Sequence, residues 1–118
     1  MKGSFNTDYG NVAIDNSVIA RIAGLAAIEC FGIVGLAGMN KRDGVTKLLT
    51  RNSLTRGIKV NIEGNLISID FHVIVSFGVS ISTVAKNLVD TVKYQLEQTT
   101  GFKIHKINIY VEGVRVID

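Results

Sequence analysis

The sequence predicts an α+β fold: a two-layer arrangement of two main helices on a mixed or antiparallel sheet, in the order β-α-β-(short helix or loop)-β-β-α-β. Three observations point there. Apolar residues alternate with period two on either side of Gly64-Asn65, the composition of a hairpin with one face buried. From Ser80 to Thr99 the spacing changes to that of an amphipathic helix. Past Gly101, a strand-like pattern resumes from Ile104 to Ile117. At 118 residues, 47% hydrophobic and 19% charged, with no Pro and no Trp, the chain has enough material for one packed core and reads as a single domain over 1–118.

Asn11 to Ile14 alternates weakly and predicts a short strand, after which Asp15, Asn16 or Ser17 can cap a helix reaching about Glu29. Arg21 and Glu29 are the only charged members of that helix. Val18, Ile19, Ile22, Leu25, Ala26 and Ile28 surround most of its circumference, so more than one face must be covered. A sheet covers one face, while Gly24 and the alanines at 23, 26 and 27 permit close approach on another, by a neighbouring helix or a second subunit. Gly32 through Leu36 predicts a short buried strand, and Val45 to Leu49 one or two helical turns inside a polar loop.

Ile58, Val60 and Ile62 then alternate with Lys59, Asn61 and Glu63 ahead of the turn. The return strand places Ile67, Ile69, Phe71, Val73, Val75 and Phe77 on one face and Ser68, Asp70, His72 and Ser76 on the other, interrupted by Ile74. Ser80 or Ser82 caps the second helix, whose apolar stripe is Ile81, Val84, Ala85, Leu88, Val92 and Leu96, and Thr100-Gly101 ends it. In the last strand Ile107, Ile109 and Val111 share one parity and Val114 and Val116 the other, so a β-bulge is expected at Gly113.

Little in the sequence points to catalysis. Ser68, Asp70, His72 and Ser76 are hydrolase residue types, but neighbours two apart on a strand stand side by side roughly 6.5 Å apart, with no nucleophile turn or oxyanion donors; a solvated sheet face is the simpler reading. His72 and His105 with Cys30 lack metal-ligand spacing, so no metal and no cofactor are expected. Gly32, Gly35 and Gly38 are not followed by Gly-Lys-Ser/Thr, which argues against a phosphate loop. The single cysteine, Cys30, is read as an inert packed thiol in a reducing compartment. MKGSFNTDYG has no apolar core of the kind a signal peptide carries. Ile22 to Met39 is apolar or glycine except for Glu29, whose carboxylate and four glycine neighbours make it an interior segment rather than a membrane span.

The charge is concentrated. Lys41, Arg42, Lys47, Arg51, Arg56 and Lys59 are opposed only by Asp43, which gives 41–59 a net charge of +5. These six residues form the candidate interaction surface, suited to an anionic membrane surface or to phosphates. Nucleic acid is the weaker of the two, because the segment has neither an aromatic residue for stacking nor a GXXG loop; a small RNA-binding domain is the alternative function.

Ile22 to Leu36 (IAGLAAIECFGIVGL), Arg56 to Val60 (RGIKV) and Ile107 to Val116 (INIYVEGVRV) together resemble the alkaline-shock-protein envelope stress family, and within it the short members. The likeness runs from about Tyr9 onward. It implies a non-enzymatic protein of Gram-positive bacteria, cytoplasmic or peripheral to the inner face of the cell membrane and active in envelope homeostasis. It also implies protein partners at the membrane or in fatty acid metabolism, and self-association as a homo-oligomer. The family supplies no catalytic residues to carry over, and the chain lacks the charged tails of the larger members.

Overall fold

The computed structural model describes residues 2–7, 10–40, 45–48, 57–64 and 66–116. The elements run β1 (Lys2–Thr7), β2 (Gly10–Asp15), α1 (Asn16–Ile28), β3 (Ile33–Asn40), β4 (Val45–Leu48), β5 (Ile58–Glu63), β6 (Leu66–Ser76), α2 (Ile81–Thr100) and β7 (Lys103–Arg115).

The long return strand β6 organises the sheet because it is the most consistently apolar on one face. One of its edges pairs along its length with β7, in parallel. The other edge is shared: β5 pairs antiparallel with Leu66–Phe71, and β3 pairs antiparallel with Val73–Val75. β4 extends the sheet beyond β3, and β1 and β2 form a separate two-stranded sheet. The α+β class and the mixed sheet are as the sequence predicts.

Both helices lie on one face. Ile67, Ile69, Phe71, Val73 and Val75 of β6 meet Ile19, Ala23 and Ala27 of α1 and Val84, Leu88, Val92 and Leu96 of α2 in one buried cluster. Burying a side chain of this size contributes about 1.5–3 kcal/mol, which is why the apolar stripe rather than helix propensity fixes α2. α1 also packs against α2, so the second apolar face of the first helix is covered by the chain's own second helix. Asp15 caps α1 by accepting from the Ser17 amide at 2.9 Å, and Ser80 caps α2 through the Thr83 amide. Gly101, with φ +79°, closes α2 in the left-handed conformation.

Three expectations are corrected. Val45–Leu48 is a strand and not a helical turn: β-branched Val45 and Thr46 pair with Met39 and Asn40, and ladder bonds outweigh a short helical run. Leu49 lies outside the described residues. Phe77 does not continue the buried face, because β6 stops at Ser76, Gly78 turns at φ +91°, and Phe77 is left exposed. Ile81 likewise stands half exposed at the start of α2. β1 was not among the expected elements; its Ser, Asn and Thr content carries no apolar alternation. The bulge is where the parity switch places it, since Val111 pairs with Val73 and Gly113 with Ile74, leaving Glu112 as the extra residue. A second irregularity skips His105.

Candidate interaction surfaces

The outer face of β6 and β7 is polar and its groups pair with one another. The Asn108 side-chain amide donates to Asp70 at 2.8 Å. His72 Nδ1 donates to Glu112 Oε1 at 2.8 Å, and the His72 ring stacks on Tyr110 with centroids 5.0 Å apart. The imidazole is therefore engaged by a carboxylate and an aromatic ring, while Ser68 and Ser76 flank it on the same strand. Among the described residues, no group of three or more His, Cys, Asp or Glu side chains is placed to hold a metal ion.

Cys30 lies two residues past the end of α1 in a buried position, where its thiol donates to the Ala26 carbonyl at 3.5 Å. Burial pushes the thiol pKa up, a Thr91 hydrogen bond opposes that, and the Glu29 charge adds to it. An upward shift removes thiolate, so the packed, inert reading of this cysteine holds.

The opposite chemistry collects at the C-terminal end of β6. The Ser76 amide bonds to the Gly32 carbonyl at 2.9 Å and the Phe77 amide to the Arg115 carbonyl at 2.8 Å. Those two bonds tie the Phe31-Gly32 turn and the end of β7 to the end of β6, and each of these places carries exposed apolar side chains. Phe31 is 78% exposed and Phe77 70%, with Val114 and Val116 on either side of Arg115 and Ile81 close by at the start of α2. Beside them lies a groove of about 560 Å³ whose walls include Phe31, Val79, Thr83, Val84 and Asn87. An exposed aromatic on the wall of an apolar groove, with a second at the adjoining turn, is the kind of surface that marks an interaction site. The signal was available in the sequence, where Phe31-Gly32 and Phe77-Gly78 each set an aromatic at a turn.

A comparison with known families decides the lineage. Residues 4–116 match the model of the alkaline shock protein 23 family, described as having a cell envelope-related function. The chain belongs to the alkaline shock protein 23 family. YloU of Bacillus subtilis is 47% identical to it, over 98% of each chain. Spy1614 of Streptococcus pyogenes serotype M6 is 34% identical, over 99% of this chain and 98% of its own. A homolog of the stress response regulator gls24 from the serotype M3 strain of that species is 22% identical over 90% of this chain and 59% of its own length. No solved structure matches the chain.

In this alkaline shock protein 23 family member, the predicted basic surface is only partly described. Lys59 is exposed on β5 and pairs in register with Asp70. Lys47 lies in β4 opposite Gly38. Lys41, Arg42, Arg51 and Arg56 lie outside the described residues. No helix among the described residues is long and apolar enough to cross a membrane.

Proposed function

We propose that this chain is a non-enzymatic adaptor of the cell envelope, held at the inner face of the membrane by docking a protein partner on its exposed apolar end. The observation that carries this reading is the exposure of Phe31 and Phe77 at two turns joined by the Ser76–Gly32 hydrogen bond, with Phe31 on the wall of the groove at the start of α2 and Phe77 adjacent in the chain to Gly78, which also lines it. A monomeric soluble domain leaves few such side chains together unless a partner covers them, and hot spots of protein interfaces favour buried aromatic anchors. The concave shape fits the side chains of a partner better than a flat bilayer. The envelope-related description of the family supports the cellular setting. The basic positions Lys41, Arg42, Lys47, Arg51, Arg56 and Lys59 serve in this reading as a supporting electrostatic surface toward anionic lipid. Self-association and a link to fatty acid metabolism belong to the same reading.

In-cell crosslinking of the chain at its native level tests it, with Phe31→Ser/Phe77→Ser as one control and Lys41, Arg42, Lys47 and Arg51 reversed to Glu as another. Envelope or fatty-acid-metabolism proteins are expected from the unsubstituted chain and are expected to be lost from the phenylalanine variant. Recovery chiefly of RNA and ribosomal proteins would overturn the adaptor reading in favour of an RNA-binding domain.

A further inference from the structure

The two long edges of the sheet are treated differently. On β5, the Val60 carbonyl accepts from the Asn16 side chain at 3.3 Å, so the start of α1 covers part of that edge. On the opposite side β7, among the described residues, pairs only with β6. A strand with one free edge offers a row of unpaired N–H and C=O groups to any extended chain that fits beside it. At the start of β7 the Ile104 amide is already taken by the Glu97 carboxylate at 3.0 Å. Between the irregularities at His105 and Glu112, Lys106–Val111 is a regular stretch with its outer edge open.

The two faces of β7 differ in chemistry. Ile107, Ile109 and Val111 share the parity of buried Ile69, Phe71 and Val73, yet the two isoleucines are only half buried and Val111 is exposed. Between the isoleucines and Ala85 and Val89 of α2 lies a second groove of about 350 Å³, where Lys86 stands with Asp90. On the other face Lys103, Lys106 and Arg115 are exposed, in register with Leu66, Ser68 and Ser76. Among the described residues these three make no ion pair. The carboxylates of the region are held elsewhere: Glu112 turns toward β6 to meet His72, Asp70 lies on β6 and takes Asn108, and Glu97 takes the Ile104 amide. What β7 leaves for a newcomer is therefore cationic on one face and apolar on the other.

We infer that this edge takes an extended acidic segment of another protein, added beside β7 as a further strand in which Asp or Glu alternates with apolar residues. Charge complementarity selects that occupant, and the pleat sets its pattern. Successive side chains of an added strand point to opposite faces. Those on the helix side fall beside Ile107 and Ile109 and fill the groove against Ala85 and Val89. Those on the other side lie across from Lys106, with Lys103 and Arg115 beyond either end, where carboxylates are the favoured cross-strand partners. Main-chain pairing supplies affinity and the two rows of side chains supply specificity. A second copy of the chain lacks this pattern, because antiparallel pairing of β7 with itself about Ile109 sets Lys103 against Arg115.

Fluorescence anisotropy of a labelled, end-blocked octapeptide of alternating glutamate and valine, titrated with the full chain at low ionic strength, tests this surface. Three further probes accompany it: the same peptide with its backbone amides N-methylated, an all-glutamate octapeptide, and a single-stranded RNA octamer. The unsubstituted chain, Lys59→Glu on the β5 edge and Phe31→Ser/Phe77→Ser are expected to bind the alternating peptide alike, and the unsubstituted chain to bind the other three probes at least about tenfold more weakly. Lys106→Glu is expected to weaken the alternating peptide about fivefold and Lys106→Glu/Arg115→Glu about tenfold or more, because attraction becomes repulsion. Absence of saturable binding, equal binding of the N-methylated or all-glutamate peptide, equal or tighter binding of the RNA, or insensitivity to Lys106→Glu overturns the inference. This edge is independent of the Phe31–Phe77 end: a chain that binds the peptide but recovers no envelope protein by crosslinking would fail the adaptor reading alone, and one that recovers them but does not bind the peptide would fail this inference alone.

Discussion

His72 and Glu112 meet across the parallel pair β6–β7, Nδ1 to Oε1 at 2.8 Å, and the bulge that makes Glu112 the extra residue of β7 is what leaves it free to do so. The contact is structural and partly exposed. A pair of this kind contributes on the order of 1 kcal/mol or less. His72→Ala is therefore expected to lower unfolding free energy by no more than about 1 kcal/mol in urea titration, and to leave the crosslinked partners unchanged. Loss of partners with the fold intact would instead give this face a functional role.

Gly32 and Gly113 predict opposite outcomes. Gly32 has φ +84°, and a Cβ there would stand 2.5 Å from Val84 Cγ2, so Gly32→Ala combines a strained backbone with a clash into the core. A loss of about 2–4 kcal/mol is expected. A Cβ at Gly113 meets only Ile74 Cγ1, at 3.9 Å, and the backbone does not require glycine. Gly113→Ala should be neutral or stabilising by up to about 1 kcal/mol. Denaturant midpoints of the two variants decide the comparison.

The Cys30 thiol supplies a pH prediction. Its folded pKa is raised by burial, so the unfolded thiol, with a pKa of roughly 8.5, ionises first as pH rises. The folded state's advantage is complete below that value and is lost as pH climbs toward the folded pKa. Unfolding free energy should therefore fall as pH rises above about 8.5 in the unsubstituted chain and fall less in Cys30→Ala, as thermal melts at rising pH would report. Alkylation of the native thiol should be slow until the chain is denatured.

Close packing of α1 gives a fourth prediction. Ala23 is fully buried in the cluster that joins α1 to α2 and the sheet. Ala23→Leu adds volume where none is free and is expected to cost about 1–3 kcal/mol by denaturant unfolding, whereas Val18→Ala, on the exposed side, should change little.

The elements with strong periodicity were legible in the sequence. β6 and α2 stand where alternation and the three-four spacing put them, because burial of Phe71, Leu88 and Leu96 depends on that spacing alone. The Gly113 parity switch located the bulge for the same reason. What the pattern could not give was pairing. β4 is a strand because of its partner β3, and β1 because of β2, and neither signal is local. Phe77 departs from the alternation because such a run carries no mark of where the ladder ends; the end is fixed with Gly32 and Arg115, residues distant in the chain. The apolar end was missed on that account. The basic segment, by contrast, was plain from composition, although only Lys47 and Lys59 of its six positions fall in described strands.

Phe31 and Phe77 are the residues proposed to hold this chain at the envelope. The most direct measurement of that role is the distribution of the chain between envelope and cytosolic fractions in cells, compared with Phe31→Ser/Phe77→Ser at equal expression and with circular dichroism confirming the fold. The unsubstituted chain is expected to sediment with the envelope and the double variant to move to the cytosolic fraction. A double variant that stays with the envelope as fully as the unsubstituted chain would contradict that role.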